Sequence, residues 1–250
     1  MTDIPPDHPR YASLVLRERV VAGVAQGLVA PQGLIAHGRG EAFDYLLGER
    51  TTPPADLAAR AAAARLLAAR DPVLSVNGNT AVLVPGALAD LQRALGCKVE
   101  VNLFHRTEAR VEKLVAHLET AGCRDVLGRG ATPTIPGLTS ERAKSTREGI
   151  AGADCVLVPL EDGDRAQALR AMGKTVLTID INPLSRTARS ASVNVADNVV
   201  RALPNVTRHV EVWRKAGEAA WRKAASEPWD GEANMRAVLA VIAERARTEA

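Results

Sequence analysis

The sequence predicts an α/β fold, a doubly wound parallel sheet with helices on both faces. Short, continuous apolar runs recur after residue 72, as in strands that are buried on both faces of a parallel sheet. Helical patterns separate most of these runs, and alternating β and α elements at this spacing are typical of such sheets. The chain has 250 residues, of which 46% are hydrophobic and 24% charged, a composition typical of globular proteins.

Three helices are predicted before the first strand. An amphipathic pattern covers residues 9–29. Gly38 and Gly40 predict a turn, followed by a short helix over residues 41–47. An alanine-rich helix follows over residues 53–69, since proline is tolerated in the first turn of a helix.

The remaining elements follow in order along the chain. The apolar runs predict strands over residues 73–76, 99–103, 155–158, 176–179 and, more weakly, 192–195. The helical patterns between them cover residues 85–95, 107–121 and 164–172. Residues 206–250 predict two helices with a break near Pro228. We therefore predict a domain over residues 1–205 and a C-terminal helical extension over 206–250, packed on that domain or at a dimer interface.

Charge and composition argue against nucleic acid and membranes as partners. Lys and Arg number 32 against 29 Asp and Glu, and the two signs are interleaved along the chain. Aromatic residues make up 3%, too few for a base-stacking surface. No apolar stretch approaches the roughly 20 residues that span a bilayer. The three cysteines form no CxxC pair and no signal peptide is visible, so we expect a cytoplasmic location.

Four predicted strands are followed by polar or turn-forming residues. Ligands of open parallel sheets bind at these carboxyl ends, so we expect the four segments to converge on one crevice. They are Asn77-Gly78-Asn79-Thr80, Phe104-His105-Arg106-Thr107, Glu161-Asp162-Gly163-Asp164 and Asp180-Ile181-Asn182-Pro183. The first segment either cradles an anion at a helix N-terminus or is an ordinary turn capped by Thr80.

Other polar positions also carry two interpretations. Arg39, between two glycines, either binds a phosphate or carboxylate or is solvated at a helix entry. The carboxylates in residues 161–164 either bind Mg²⁺, receive a substrate amine, or complement a helix dipole with Asp164 as the N-cap. Arg186 either binds phosphate from a loop or is solvated, and Asn198 is either a ligand contact or a helix cap.

Common catalytic motifs are missing from the sequence. There is no GxGxxG, P-loop, HExxH or GxSxG motif, and the histidines lack metal-ligand spacing. The cysteines border predicted strands and are interpreted as core or turn residues. These observations favour chemistry by positioning and electrostatics on anionic ligands over covalent catalysis.

Six long strings carry a resemblance to a known family. They are IPPDHPRY, APQGLIAHGRGEAFDYLLGE, VNGNTAVLVP, EVNLFHRT, PLEDGDR and DINPLSRTAR. The chain resembles the archaeal 4-phosphopantoate–β-alanine ligases, also called phosphopantothenate synthetases. The resemblance runs almost without gaps from Ile4 to Asn205, and the tail beyond Asn205 is not matched.

The resemblance implies an ATP-dependent ligase of archaeal coenzyme A synthesis, with a Rossmann-like fold and a homodimeric assembly. Such an enzyme joins 4-phosphopantoate to β-alanine through an acyl-adenylate and yields 4′-phosphopantothenate, AMP and diphosphate. The resemblance further implies that ATP is held by Arg17, Arg39, Asp180, Ile181, Asn182, Arg186, Thr187, Asn198 and Val199.

On this basis we assign roles to the remaining candidates. The hypothesis gives catalytic roles to Arg39, Asn79 and Asp162. It gives substrate contacts to His37, Gly38, Asn77, Asn79 and Glu161. It gives Mg²⁺ contacts to Asp162 and Asp164. Two alternatives stay open, a nicotinamide-dependent oxidoreductase, for which the glycine fingerprint is missing, and a non-catalytic nucleotide-binding module.

Overall fold

The computed structural model describes residues 4–248 and contains a five-stranded parallel sheet covered by helices. The N-terminal helices are α1 (Tyr11–Ala25), α2 (Gln32–Leu47) and α3 (Pro53–Ala68). The central part contains β1 (Pro72–Val76), α4 (Gly78–Leu83), α5 (Pro85–Leu95), β2 (Lys98–Val101), α6 (Glu108–Thr120), β3 (Thr132–Pro133) and β4 (Lys144–Ser145). The rest comprises β5 (Cys155–Pro159), α7 (Gly163–Ala171), β6 (Thr175–Ile179), α8 (Arg186–Ser190), β7 (Val193–Val195), α9 (Val199–Ala216), α10 (Glu218–Ser226) and α11 (Gly231–Thr248).

The strand order of the main sheet is β2-β1-β5-β6-β7, and all pairs are parallel. The chain moves outward from β1 to β2 and then returns to place β5 on the other side of β1. The order therefore reverses between β1 and β5, which is the topological switch point where doubly wound sheets bind ligands. The predicted Rossmann-like α/β class is confirmed.

Apolar cores cover both faces of the sheet. Leu74 and Val76 of β1 belong to the larger core, which includes side chains of α3, α5, α6 and α9. Val73 of the same strand points into a second core with Leu169 of α7. Neighbouring residues of a strand point to opposite faces, so the uninterrupted apolar runs reflect burial on both sides.

The turn predicted at Gly38 and Gly40 is wrong, because α2 continues through both glycines. Glycine costs only about 1 kcal/mol in a helix interior, and packing against neighbouring elements can offset that cost. A methyl group at Gly33 would overlap Asn79 Oδ1, so α2 approaches the end of β1 closely. The helix ends at Gly48, whose φ of 84° is left-handed, as the sequence predicted.

Short elements near the strand ends differ from the sequence interpretation. Helix α4 follows β1 directly and is capped by Asn77, whose Oδ1 accepts a hydrogen bond from the Thr80 amide at 3.0 Å. The interpretation in which Thr80 is the N-cap is therefore wrong. Asp162, not Asp164, occupies the N-cap position of α7. Asn198 does cap α9, accepting a hydrogen bond from the Val200 amide at 3.2 Å.

The C-terminal helices pack against the rest of the domain. Helix α9 runs through Asn205, so the structure shows no break at the boundary predicted there. The break near Pro228 is confirmed, and a further break occurs at Gly217. The Trp213 indole nitrogen donates to the Arg60 carbonyl of α3 at 3.0 Å, and Val238 of α11 is fully buried. None of the helices within residues 4–248 is long and apolar enough to cross a bilayer.

Candidate active site

All five strands of the main sheet end at one cavity of about 610 Å³. Its floor is formed by residues that follow each strand, namely Asn77, Asn79, Leu103, Phe104, His105, Leu160, Asp162, Ile181, Asp197 and Asn198. Helices α1 and α2 form further walls. The predicted convergence of the strand ends on one crevice is confirmed, and the volume lies in the range of small-molecule sites.

One face of α2 is directed at the cavity. His37, Gly40, Glu41 and Asp44 follow the three- and four-residue spacing of a helix face, and all line the cavity. The His37 Nε2 atom is buried without a hydrogen-bond partner in the described part of the chain, and burial lowers the pKa of His37. Arg39 also lines the cavity, is exposed, and forms no ion pair within residues 4–248.

Asn77 joins the two strands that flank the switch point. Its amide nitrogen donates to the carbonyl oxygens of Pro159 at 3.0 Å and Leu160 at 2.9 Å. Its oxygen accepts the Thr80 amide, so both ends of this side chain are engaged within the protein. Asn79 donates in turn to the Gly33 carbonyl at 2.8 Å and thereby connects α4 to α2.

Glu161 lies beneath the cavity and is fully buried. Its Oε2 atom forms ion pairs with Arg165 and, at 3.2 Å, with Arg142. Burial alone would raise the pKa of Glu161, but the charges of Arg142 and Arg165 hold that pKa below its usual range. Because these arginines occupy its carboxylate, Glu161 does not line the cavity.

The two neighbouring aspartates are more accessible. Asp162 lines the cavity, and its Oδ2 atom lies 3.7 Å from Arg142 Nε. Burial, followed by the charge of Glu161, raises the pKa of Asp162. Asp164 lies outside the cavity lining and pairs with Arg186.

The segment between β6 and α8 is shaped by its own polar side chains. Asp180 accepts hydrogen bonds from the Asn182 amide at 3.0 Å and from the Ser185 hydroxyl, and burial raises the pKa of Asp180. Thr187 donates to the Glu161 carbonyl at 2.7 Å. Of the predicted ATP contacts in this segment, Ile181 lines the cavity.

A buried ion-pair network closes the β7 end of the cavity. Arg201 of α9 pairs with Asp44 of α2 and, through Nε at 2.9 Å, with Asp197. Asn198 donates to Asp44 at 2.7 Å. Sequence analysis did not single out Asp44 or Arg201, because only the folded chain brings α2 beside α9.

The structure separates the candidate residues into two groups. Those that line the cavity are His37, Arg39, Asn77, Asn79, Asp162, Ile181, Asn198 and Val199. Those that do not are Arg17, Gly38, Glu161, Asp164, Asp180, Asn182, Arg186 and Thr187. Arg17 nevertheless pairs at 3.0 Å with Glu41, which does line it.

Besides Arg201, two further cavity arginines were missed by the sequence analysis. Arg110 lies on α6, and Arg142 lies in a short 3-10 helix, Glu141–Ala143, directly before β4. Arg110 lies three residues after the polar segment at residues 104–107, and this proximity is the weak sequence signal that could have indicated it. Residues 121–154 have no periodicity that would point to Arg142.

Comparison with known proteins decides the family. A family model described as phosphopantothenate/pantothenate synthetase matches residues 54–245. The chain belongs to this family. The match includes most of the tail beyond Asn205, which the resemblance noted from the sequence did not cover.

Curated relatives agree with this assignment. A 4-phosphopantoate–beta-alanine ligase from Methanosarcina mazei is 47% identical over 250 residues, covering 100% of this chain and 98% of the relative. The ligase of the same name from Thermococcus onnurineus is 55% identical over 208 residues, covering 83% of this chain and 80% of the relative. The ligase of that name from Thermococcus kodakarensis is 54% identical over 216 residues, covering 86% of this chain and 82% of the relative. These relatives support neither an oxidoreductase nor a non-catalytic module.

Proposed function

We propose that this chain is an ATP-dependent ligase that joins 4-phosphopantoate to β-alanine, giving 4′-phosphopantothenate, AMP and diphosphate in coenzyme A biosynthesis. The observation that carries the proposal is the match to the Methanosarcina mazei ligase, which extends over the whole length of this chain. The cavity at the switch point supplies a site of suitable size for the substrates.

The proposed chemistry has two steps. A carboxylate oxygen of 4-phosphopantoate attacks the α-phosphorus of ATP, and diphosphate leaves. The β-alanine amine then attacks the acyl carbon, its nitrogen loses a proton to solvent as the amide forms, and AMP leaves with one of the original carboxylate oxygens. Neither step needs a protein nucleophile. In agreement, burial raises the pKa of Cys97 to about 12 and that of Cys123 to about 11, so both thiols are inert near neutral pH.

Arg39 is the proposed catalytic cation at the phosphates of ATP. It lines the cavity, and its exposed guanidinium forms no ion pair in the described part of the chain, so it is free to bind an oxyanion. Charge that develops on the leaving diphosphate would be stabilised there. Ile181, Asn198 and Val199 line the same cavity and are proposed contacts of the nucleotide.

Arg17 and Arg186 remain proposed phosphate contacts, although both form ion pairs in the structure. Arg17 pairs with Glu41 and Arg186 with Asp164, and both arginines are substantially exposed. Exposed pairs of this kind contribute about 0–1 kcal/mol, so exchange of the carboxylate for a phosphate costs little.

The acid substrate and the amine are proposed to lie near the ends of β1 and β5. Asn79 and His37 are assigned to 4-phosphopantoate, and Asp162 to the β-alanine ammonium or to Mg²⁺. Gly38, which the sequence predicted as a further substrate contact, lies outside the cavity lining. Asn77 and Glu161 are assigned positioning roles, because their polar atoms are engaged by strand ends and by buried arginines. Asp180, Asn182 and Thr187 hold the loop that presents Ile181.

The donor set fits a magnesium ion that arrives with ATP. Within residues 4–248, no group of three or more His, Cys, Asp or Glu side chains is arranged to hold a metal. Asp162 supplies an accessible carboxylate in the cavity lining, whereas Asp164 lies outside it and pairs with Arg186. Mg²⁺ in such enzymes is typically held by one or two carboxylates plus phosphate oxygens. The ion would offset triphosphate charge.

We further infer a homodimeric, cytoplasmic enzyme that binds neither nucleic acid nor membranes. The family resemblance supports the dimer, and the interleaved charges support the absence of a nucleic-acid role. Three buried, free cysteines are compatible with a reducing compartment.

The proposal is tested by product analysis. Purified protein is incubated with ATP, Mg²⁺, 4-phosphopantoate and β-alanine, and nucleotides are separated by chromatography. AMP should accumulate in equal amount to 4′-phosphopantothenate. Formation of ADP would replace the acyl-adenylate by an acyl-phosphate route, and absence of turnover would contradict the proposed function.

A further inference from the structure

Arg110 and Arg142 place positive charge at the β1–β2 side of the cavity. The Arg110 Nη2 atom donates to the Leu28 carbonyl at 3.0 Å and lies beside Gly78, directly after β1, while Nη1 donates to the His105 carbonyl. Arg142 Nη1 donates at 2.9 Å to the carbonyl of Asn102, directly after β2. Both side chains line the cavity, on the opposite side of the switch point from Asn198.

Arg142 is buried but keeps an unused donor. Its side chain is only 8% exposed, and Nη1 contacts Glu161 at 3.2 Å. Its Nε atom is buried and has no hydrogen-bond partner among the described residues. Buried donors are normally satisfied, so an unused one in a cavity wall indicates a missing acceptor.

Arg110 lacks a compensating carboxylate. It forms no ion pair within the described ranges, and its Nε atom is also buried without a hydrogen-bond partner there. Burial, followed by the charge of Arg142, lowers the pKa of Arg110. Arg110 also lines a second cavity of about 720 Å³, which gives a route to it from outside.

The carboxylates nearby pair with Arg142 but leave the charge of Arg110 uncompensated. Glu161 is shared between Arg142 and Arg165, and Asp162 approaches Arg142 to 3.7 Å only. A partly buried cation without a counter-charge is costly unless an anion binds beside it. A phosphate monoester carries a charge of about −1.5 to −2 and several acceptor oxygens, which match these donors.

We propose that Arg110 and Arg142 bind the phosphate group of 4-phosphopantoate. The inference rests on the proposed function and assigns a part of the site that neither the comparisons nor the sequence assigned. ATP is proposed to lie at the β6 and β7 ends, and β1 and β7 are three strand spacings apart, about 14 Å. The carboxylate of the acid can therefore lie near β5, between the two phosphate sites.

The test compares ligand affinities of the full chain. Isothermal titration calorimetry with 4-phosphopantoate, pantoate and ATP is carried out on the wild type, Arg110→Met, Arg110→Lys and, as a matched control, Lys113→Met. Lys113 is a cation one turn further along α6 that lines the second cavity but not the cavity of about 610 Å³ at the strand ends. Arg110 is preferred to Arg142 because loss of Arg142 would leave Glu161 short of a buried partner.

The expected result is selective. Arg110→Met should weaken 4-phosphopantoate binding about 30-fold or more and abolish most of the preference for 4-phosphopantoate over pantoate. Its affinity for ATP should stay within about twofold of the wild-type value. Arg110→Lys should recover part of the loss, and Lys113→Met should match the wild type. Unchanged 4-phosphopantoate affinity in Arg110→Met, or a loss confined to ATP, would overturn the inference. Failure of the wild type itself to bind 4-phosphopantoate would instead overturn the proposed function.

Discussion

The side-chain amide nitrogen of Asn77 donates to the carbonyl oxygen of Leu160 at 2.9 Å, joining the ends of β1 and β5 at the switch point. Asn77→Ala removes this bond, the bond to Pro159 and the cap of α4. A cap and buried hydrogen bonds each contribute about 1 kcal/mol, so unfolding by urea should show a loss of about 2–3 kcal/mol.

Asn77→Asp serves as the control, because it keeps the acceptor for the Thr80 amide but loses both donors. Its stability should lie at or below that of Asn77→Ala, since a carboxylate would face two carbonyl oxygens. A loss of less than about 0.5 kcal/mol in Asn77→Ala would show that these bonds do not hold the strand ends together.

Arg39→Ala should impair catalysis without affecting stability. Arg39 is exposed and forms no ion pair in the structure as described, so the folded state loses little. If Arg39 binds a phosphate in a site that closes around ATP and excludes water, the substitution should cost about 2–4 kcal/mol of transition-state stabilisation. This loss is measured as a lower kcat/KM for ATP. Steady-state kinetics measure this, with Arg93→Ala as control, an exposed arginine paired with Asp90 on α5. A wild-type kcat/KM in Arg39→Ala would remove Arg39 from the site.

Glu161→Gln should be strongly destabilising at neutral pH. It leaves Arg142 and Arg165 buried without their shared carboxylate, which costs about 3–5 kcal/mol. Glu112→Gln, in an exposed pair with Arg129, should cost less than about 1 kcal/mol. Denaturation by urea at pH 7 compares the three proteins.

The pH dependence of the Glu161 variant has a definite sign. The pKa of Glu161 is lowered in the folded state, so its stabilising contribution is complete above the unfolded pKa of about 4.3 and is lost as pH falls through the folded value. The stability difference between wild type and Glu161→Gln should therefore shrink in acid. A difference that stays constant from pH 7 to strongly acidic pH would contradict the ion-pair account.

Val238→Ala should weaken ATP binding from outside the cavity. Val238 of α11 is fully buried in the same apolar cluster as Leu47 of α2 and Ile181, and Ile181 lines the cavity. The cavity left by the substitution should cost about 1–3 kcal/mol of stability and should raise the Kd for ATP severalfold. Arg236→Ala, at an exposed position of the same helix, is the control. An unchanged Kd for ATP in a destabilised Val238→Ala would separate the tail from the site.

The sequence was sufficient to predict the elements that local pattern determines. Residues 85–95 were predicted as a helix and form α5 with those bounds, because a proline start, a helical stripe and a glycine end agree there. The strands followed from continuous apolar runs. Gly38 and Gly40 were wrongly predicted as a turn, since the cost of about 1 kcal/mol for a glycine in a helix interior is too small to end a helix that the fold holds in place.

The candidate site was only partly predictable, because several of its side chains are defined by long-range contacts. The polar character of Glu161 was visible in the sequence, but its two arginine partners come from α7 and from the segment before β4. Arg201 and Asp44 are 157 residues apart along the chain and meet only in the fold.

An oxygen-transfer experiment tests the central claim most directly. 4-Phosphopantoate labelled with ¹⁸O in its carboxylate is incubated with the protein, ATP, Mg²⁺ and β-alanine, and the products are analysed by mass spectrometry. An acyl-adenylate route predicts one ¹⁸O atom in AMP for each amide formed and no label in diphosphate. Label recovered in inorganic phosphate together with ADP, or no amide product at all, would contradict the account.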